Sequence, residues 1–291
     1  MPDPSGVGSI HRQDQVSGKS DIPGIQERLQ EGYLILDAFL AENGNLPTLE
    51  LFRQCWKLIL RNEELFGGMP AQGRRFNFDL RNIAYIRFSL FFKRLRAEFV
   101  PTVKLADKSL DINARLGSVF LTLHSELELA IVKLLQSNLH SVAMISAGQR
   151  QPRQIDLFGL SPAPGIIKRN NDCLLLAREA LAKSNSLLID VDYTVFDEER
   201  QRYEHKIGIS AFLFAKKMSR PLYFVMPEIN EDGETVCSVE LAQTDTSANE
   251  IAEQFKLFAR SRALTGDELS VGDWFLDTKG KSNAKVARQG P

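Results

Sequence analysis

His124 stands where the apolar run VFLTL gives way to the helix-like ELELAIVKLL, with Glu126 and Glu128 close behind it. An imidazole so placed can serve as a general base toward a hydroxyl or amine, provided a carboxylate orients its second nitrogen. It can equally be a metal ligand, or a residue near a helix cap whose glutamates simply suit the positive end of the macrodipole. Position favours chemistry, because ligands in open α/β sheets bind at the carboxyl ends of strands. A second group is Asp190 and Asp192, which close the run SLLIDVDY at alternate positions and so share one side of a strand. They could bind a metal with Asp197 or Glu198 as a third hard ligand, stabilise a cation, or anchor the charged loop DEERQRYEHK through carboxylate to backbone bonds. Lys168 and Arg169 form a third group. Two cations just before a helix suit a phosphate or carboxylate, or are a solvated pair.

The elements that position these residues fall into two grammars. From Ile25 to Asn43 apolar residues recur at three and four positions and predict an amphipathic helix, which Gly44 stops. The runs LELFRQCWKLILRNEELF and DLRNIAYIRFSLFFKRLRAEF predict two more. In the last, Ile83, Ile86, Leu90 and Phe91 are expected to face the core, and Arg81, Arg87, Lys93, Arg94 and Arg96 to make a basic outer face. After Pro101 short runs of Val, Ile, Leu and Phe alternate with helical segments, the pattern of a buried, mainly parallel sheet flanked by helices. Strands are expected at SVFLTL, HSVAMISA, SLLIDVDY, RPLYFVMPEI and TVCSVELAQ, the last two joined by the turn NEDGE. Helices are expected from about Glu126 to Ser137 and at NNDCLLLAREALAKS, IGISAFLFAKK and ANEIAEQFKLFARSRAL, with a loop through Pro152, Pro162 and Pro164. The fold class is therefore α/β: a disordered tail over 1–22, a helical subdomain over 23–100, the α/β domain over 101–264 and a flexible tail over 265–291.

With 36 Lys and Arg against 37 Asp and Glu, the formal charge of -1 offers no global basic field for nucleic acid. Cys55, Cys173 and Cys237 lie far apart, in neither a disulfide framework nor a zinc knuckle, so a reducing cytoplasm is expected. The polar start MPDPSGVGSIHRQDQVSGKSDIPG lacks the apolar core of a secretory signal, and no run approaches the roughly 18 apolar residues that cross a bilayer. Glycine-rich phosphate loops of the common spacings are absent.

Taken in order, these features resemble the lysophospholipid acyltransferase-like family, and within it the branch that moves lauroyl or myristoyl chains onto a lipid A precursor. That branch has a strand ending in a catalytic histidine, an arginine before a helix, a strand ending in an Asp-x-Asp-Tyr-like turn, and a small-residue helix leading to a strand that ends in proline. Here they are VFLTLH to His124, Arg169 before LLLAREALAK, IDVDY at Asp190 to Tyr193, and ISAFLFAKKMSRPLYFVMP to Pro227. The resemblance runs from about Val103 to Arg262 and rests on the order of the features. It implies an acyltransferase-like α/β fold and transfer of an acyl group from acyl-CoA or acyl carrier protein to a hydroxyl or amine. His124 would be the base and Glu128 or Glu126 its orienting carboxylate, with Glu128 the better placed to reach back from the first helical turn. Arg169, Asp190, Asp192 and Tyr193 would contact substrate, and no metal or further cofactor would be needed. The family's His-x-x-x-x-Asp/Glu pattern places Leu129 where its carboxylate stands, and RYEHKIG replaces a Phe-Phe-Gly-like element. The branch's N-terminal membrane helix is missing, which implies a soluble acceptor or peripheral attachment at the inner membrane face. A noncatalytic binding protein retaining the fold is the alternative, and metal-dependent hydrolysis through Asp190 and Asp192 a third reading.

Overall fold

The computed structural model describes residues 25–62, 75–107, 117–138, 140–146, 152–170, 172–197, 202–262 and 270–272. The expected tail over 1–22, and Glu198 in the charged segment, lie outside these residues. In chain order the elements are α1 (Ile25–Asn43), α2 (Thr48–Arg61), α3 (Arg75–Leu95), β1 (Val103–Leu105), β2 (Val119–Thr122), α4 (Glu128–Ser137), β3 (Val142–Ser146), α5 (Pro152–Leu157) and β4 (Gly165–Lys168). They continue with α6 (Cys173–Ala182), β5 (Ser186–Asp190), β6 (Asp192–Asp197), β7 (Arg202–Gly208), α7 (Ile209–Met218), β8 (Leu222–Ile229), β9 (Thr235–Leu241), α8 (Ala248–Arg262) and β10 (Ser270–Gly272).

The protein is α/β, built on a seven-stranded sheet of order β1-β9-β8-β2-β5-β3-β4. Every neighbouring pair in it is parallel except β8 with β9, which the NEDGE turn joins as a hairpin. Because successive side chains of a strand point to opposite faces, the apolar runs feed two cores at once. Phe120, Leu188, Met144, Tyr223 and Val225 pack on one face with α2, α3 and α4. Val119, Leu121, Leu187, Ile189, Ile145 and Phe224 pack on the other with α6, α7 and α8. The strands thus read as continuous apolar runs, as a sheet covered on both faces requires. Each fully buried Leu or Phe contributes about 1.5–3 kcal/mol over an exposed one.

The three N-terminal helices join the first core rather than forming one of their own. Trp56 and Phe52 of α2 close over Gly233 in the β8–β9 turn, where a Cβ would stand 2.9 Å from the Phe52 ring. Trp56 Nε1 donates to Asn230 O at 3.2 Å, and the Tyr85 hydroxyl donates to Gly233 O at 2.9 Å. In α3 the buried line is Tyr85, Ile86, Phe88 and Phe92, while Ile83, Leu90 and Phe91 are only half-buried. The aromatic cluster with Phe52 and Phe99, mostly edge-on and tilted rings, sets that rotation of the helix.

Besides the edge strand β1 (Val103–Leu105), where no strand was expected, three segments differ from expectation. The proline-containing loop holds the short helix α5 and the edge strand β4, whose Ile167 alone faces the core. The charged loop after Asp192 is a β-hairpin, β6 with β7, since residues 192–197 and 202–207 pair throughout. Ser270–Gly272, within the expected flexible tail, adds parallel to β7 and completes a three-stranded second sheet.

Candidate functional site

The first links of the site are local. The strand β2 ends at Thr122 and α4 starts at Glu128, so residues 123–127 form a short turn at the carboxyl edge of the sheet. Within it Ser125 Oγ accepts the Leu127 N–H at 3.0 Å, and Glu128 Oε1 accepts the Ser125 N–H at 3.1 Å. The Ser125 hydroxyl and the Glu128 carboxylate thus each take up a backbone N–H of the turn that precedes the helix, although Ser125 is not the helix N-cap. The same Glu128 oxygen stands 2.7 Å from His124 Nδ1. One buried carboxylate, its side chain 1 % exposed, therefore closes the helix and holds the imidazole, whose ring is 60 % exposed at the sheet edge. A carboxylate oxygen at hydrogen-bond distance from Nδ1 fits the tautomer with the proton on Nδ1, which leaves Nε2 as the ring's basic nitrogen.

The neighbouring strand supplies two more carboxylates. The β5 strand pairs with β2 so that Asp190 lies beside Thr122. Its Oδ2 is 3.6 Å from His124 Nδ1, a second carboxylate beside the imidazole but beyond a good hydrogen bond. At Val191 the chain leaves the main sheet for the hairpin, its N–H still donating to Thr122 O and its carbonyl accepting the Gly208 N–H. Asp192, first residue of β6, accepts the His124 backbone N–H on Oδ1 at 2.5 Å. Both aspartates are buried, and one fixes the backbone of the histidine while the other faces its ring. Loop anchoring and site building are here the same interaction.

Arg169 follows the edge strand β4 and donates from its guanidinium to the Asp190 carbonyl, which ties the arginine to the strand end that carries the aspartate. It also lines a partly open pocket between α6 and α7, with Ile145, Leu174, Ile189, Tyr193 and Phe214. Asp190 lies on the lining as well, so the pocket runs up to the histidine site. Gly208 is where α7 begins; a Cβ there would stand 3.4 Å from Val191 O and 3.6 Å from the Tyr193 ring.

The structure thus gathers His124, Glu128, Asp190, Asp192 and Arg169. Tyr193 joins through the pocket. Glu126 does not join: it is exposed and accepts from Gln154 Nε2 at 3.0 Å, turned toward α5. Leu129, where the resembled family carries its carboxylate, is buried in the core beneath α4. The carboxylate beside the imidazole is that of Glu128, four residues after His124, which the turn at 123–127 brings within reach.

Ligand atoms of His124, Glu128 and Asp190 lie within 4.8 Å of one another, a set that could surround a cation. The 2.7 Å contact is, however, a hydrogen-bond distance, and Glu128 Oε1 already accepts a backbone N–H. Asp197, expected as a further hard ligand, is a strand residue whose side chain lies outside the description. No protein-family model matches the chain, and no curated protein matches its sequence. Among solved structures, the Legionella pneumophila ATPase DotB aligns at 12% identity with a TM-score of 0.26 over 63% of each chain, so the chain spans less than two thirds of that protein. An overlap that slight carries no information on activity.

Sequence reasoning missed Cys173, Leu174, Ser210 and Phe214 in the pocket lining. The signal was present in a weak form: α6 and α7 both follow strands whose ends meet the site, so their first turns border whatever binds there.

Proposed function

We infer that the protein is an acyltransferase that takes a fatty acyl group from an acyl thioester, acyl-CoA or acyl carrier protein, and passes it to a hydroxyl or amine. The observation that carries this reading is the His124 to Glu128 pair at 2.7 Å, buried on the carboxylate side and open on the imidazole side, at the carboxyl edge of the central sheet. Nε2 takes the proton of the acceptor O–H or N–H as that atom attacks the thioester carbonyl. The tetrahedral adduct then expels sulfur, the C–S bond breaks, and the imidazolium returns the proton to the departing thiolate. The products are the acylated acceptor and a thiol.

Glu128 stabilises the imidazolium and holds its tautomer. Asp190 adds a second negative charge beside the ring, and Asp192 keeps the backbone under it in place. The Arg169 guanidinium, one of whose donors is engaged by Asp190, offers others to an anionic group of donor or acceptor. The apolar pocket takes the carbonyl-proximal part of the acyl chain, with Tyr193 on its wall. Long-chain substrates place the enzyme at the cytoplasmic face of a membrane, as a peripheral protein; among the described residues no helix is long and apolar enough to cross one.

The test is release of thiol from octanoyl, lauroyl and myristoyl thioesters, with a panel of hydroxyl and amine acceptors. Acceptor-dependent release supports the reading. No release with any pairing, from folded protein, leaves the noncatalytic binding protein in its place.

A further inference from the structure

We propose that His124, Glu128 and Asp190 form a zinc site, and that Zn²⁺ bound there holds the transferase inactive. The inhibition rests on the acyltransferase reading; the metal site does not. The three side chains come from three segments: the turn after β2, the first residue of α4 and the last residue of β5. One ligand atom from each lies within 4.8 Å of the other two. The segments are fixed to one another, since Asp192 accepts the His124 backbone N–H, the Val191 N–H donates to Thr122 O, and Arg169 donates to the Asp190 carbonyl. The donor set is thus gathered by the fold before any ion arrives.

The donor types select the metal. An imidazole with two carboxylates is the nitrogen and oxygen set of open zinc sites, where water takes the fourth position, whereas Ca²⁺ and Mg²⁺ favour oxygen alone. Zinc bonds of about 2.0–2.2 Å set tetrahedral ligand atoms about 3.3–3.6 Å apart. His124 Nδ1 is 3.6 Å from Asp190 Oδ2 and 2.7 Å from Glu128 Oε1, so the first separation already fits. The second must open by roughly 0.6–0.9 Å. The imidazole, 60 % exposed, can make that movement over two carboxylates that are 1 % and 4 % exposed. Each carboxylate also has a second buried oxygen, Glu128 Oε2 and Asp190 Oδ1, that takes no part in the contacts described above. Two carboxylates buried this close together require compensating positive charge, and a divalent ion supplies twice that of an imidazolium. Access is open from both sides: the ring faces solvent, and Asp190 lines the partly open pocket.

Occupancy and catalysis exclude each other. With the ring proton on Nδ1, Nε2 is the base. Zinc takes the Nδ1 lone pair, so the single proton of the neutral ring moves to Nε2, and no nitrogen remains to accept a proton from the acceptor. The 2.7 Å hydrogen bond is then the metal-free form of the site, in which a proton lies where the ion would.

The experiment is calorimetric titration of the full chain, freed of metal by chelation, with zinc chloride. Wild type is expected to bind Zn²⁺, and His124→Ala, Glu128→Gln and Asp190→Asn should each weaken that binding at least about tenfold. Glu126→Gln should bind as wild type does, because its carboxylate is turned to Gln154. His124→Ala alters an exposed side chain, so the test stands even where a variant of a buried carboxylate fails to fold. In parallel, saturating Zn²⁺ should cut formation of the acylated product from a lauroyl thioester at least about tenfold, and EDTA should restore it. Product is read instead of thiol because zinc binds free thiols. The site is overturned if folded wild type binds no Zn²⁺ or if His124→Ala binds it equally well. Its inhibitory role is overturned if the zinc-loaded protein keeps its rate. Zinc binding as expected, with no acylated product from metal-free protein and any acceptor, would remove the acyltransferase reading and the inhibition with it, and leave the metal site standing.

Discussion

Replacing Glu128 by Gln isolates the charge at the centre of the site. Gln has the same shape, and its carbonyl oxygen can still accept the Ser125 N–H, so the capping turn should persist. What is lost is the anion 2.7 Å from Nδ1 when the imidazole becomes charged. With charge centres about 4 Å apart and an effective dielectric of about 20, their attraction is roughly 4 kcal/mol. Asp190, whose Oδ2 is 3.6 Å from the same nitrogen, retains part of it. A net loss of about 2–3 kcal/mol remains, or about 30- to 150-fold in kcat/KM. Removing a carboxylate from the first turn of α4 costs about 1 kcal/mol or less in stability, so Tm should fall by only a few degrees. The assay is initial-rate thiol release under saturating acceptor, with thermal unfolding alongside. Glu126→Gln should stay within about twofold of wild type, because that carboxylate is turned to Gln154. Equal effects of the two substitutions, or full activity of folded Glu128→Gln, would refute the reasoning.

Other outcomes follow from the same geometry. Burial pushes the Cys55 and Cys237 thiols up to about 12, so a thiol reagent should label Cys173 alone in the native protein, and an acyl thioester analogue in the pocket should slow that labelling. The hydrogen bond from Lys104 at 2.7 Å, with further bonds from Asn230 and Arg53, holds the Glu234 carboxyl below the usual range despite its partial burial. A depressed folded pKa stabilises above the unfolded value and is lost as pH falls. Glu234→Gln should therefore cost about 1–2 kcal/mol at pH 7 in urea denaturation, and the two proteins should converge below about pH 4. Gly233→Ala combines a left-handed φ of 70° with a Cβ 2.9 Å from Phe52 and 3.0 Å from Trp56, and should destabilise by about 2–4 kcal/mol in the same assay.

The sheet was legible because its strands are buried on both faces and carry unbroken apolar runs; Val119 to Leu123 and Leu222 to Val225 could be little else. The pairing of His124 with Glu128 was legible as a glutamate in the first helical turn reaching back toward the preceding strand, although the helix starts at Glu128 and not near Ser125. Strand β4 was not, because this edge strand buries one side chain in four and Pro162 and Pro164 just before it speak for a loop. The β6–β7 hairpin was hidden by the charge of DEERQRYEHK, which backbone pairing tolerates. Nor could the sequence reveal the bond from Arg169 to the Asp190 carbonyl or the pocket between α6 and α7: both arise where β4 and β5, separated in the sheet by β3, end beside the same two helices.

The most direct test of the central claim compares wild type with His124→Ala, each given a lauroyl thioester carrying a labelled acyl chain and the acceptor found in the thiol-release screen. The labelled product is then quantified by mass spectrometry. His124 is mostly exposed, so the variant should fold with wild-type Tm, and loss of the general base should reduce product formation by about 10²–10⁴. Undiminished product from the folded variant would contradict the account, because the acyl group would then be moving without the base proposed at His124.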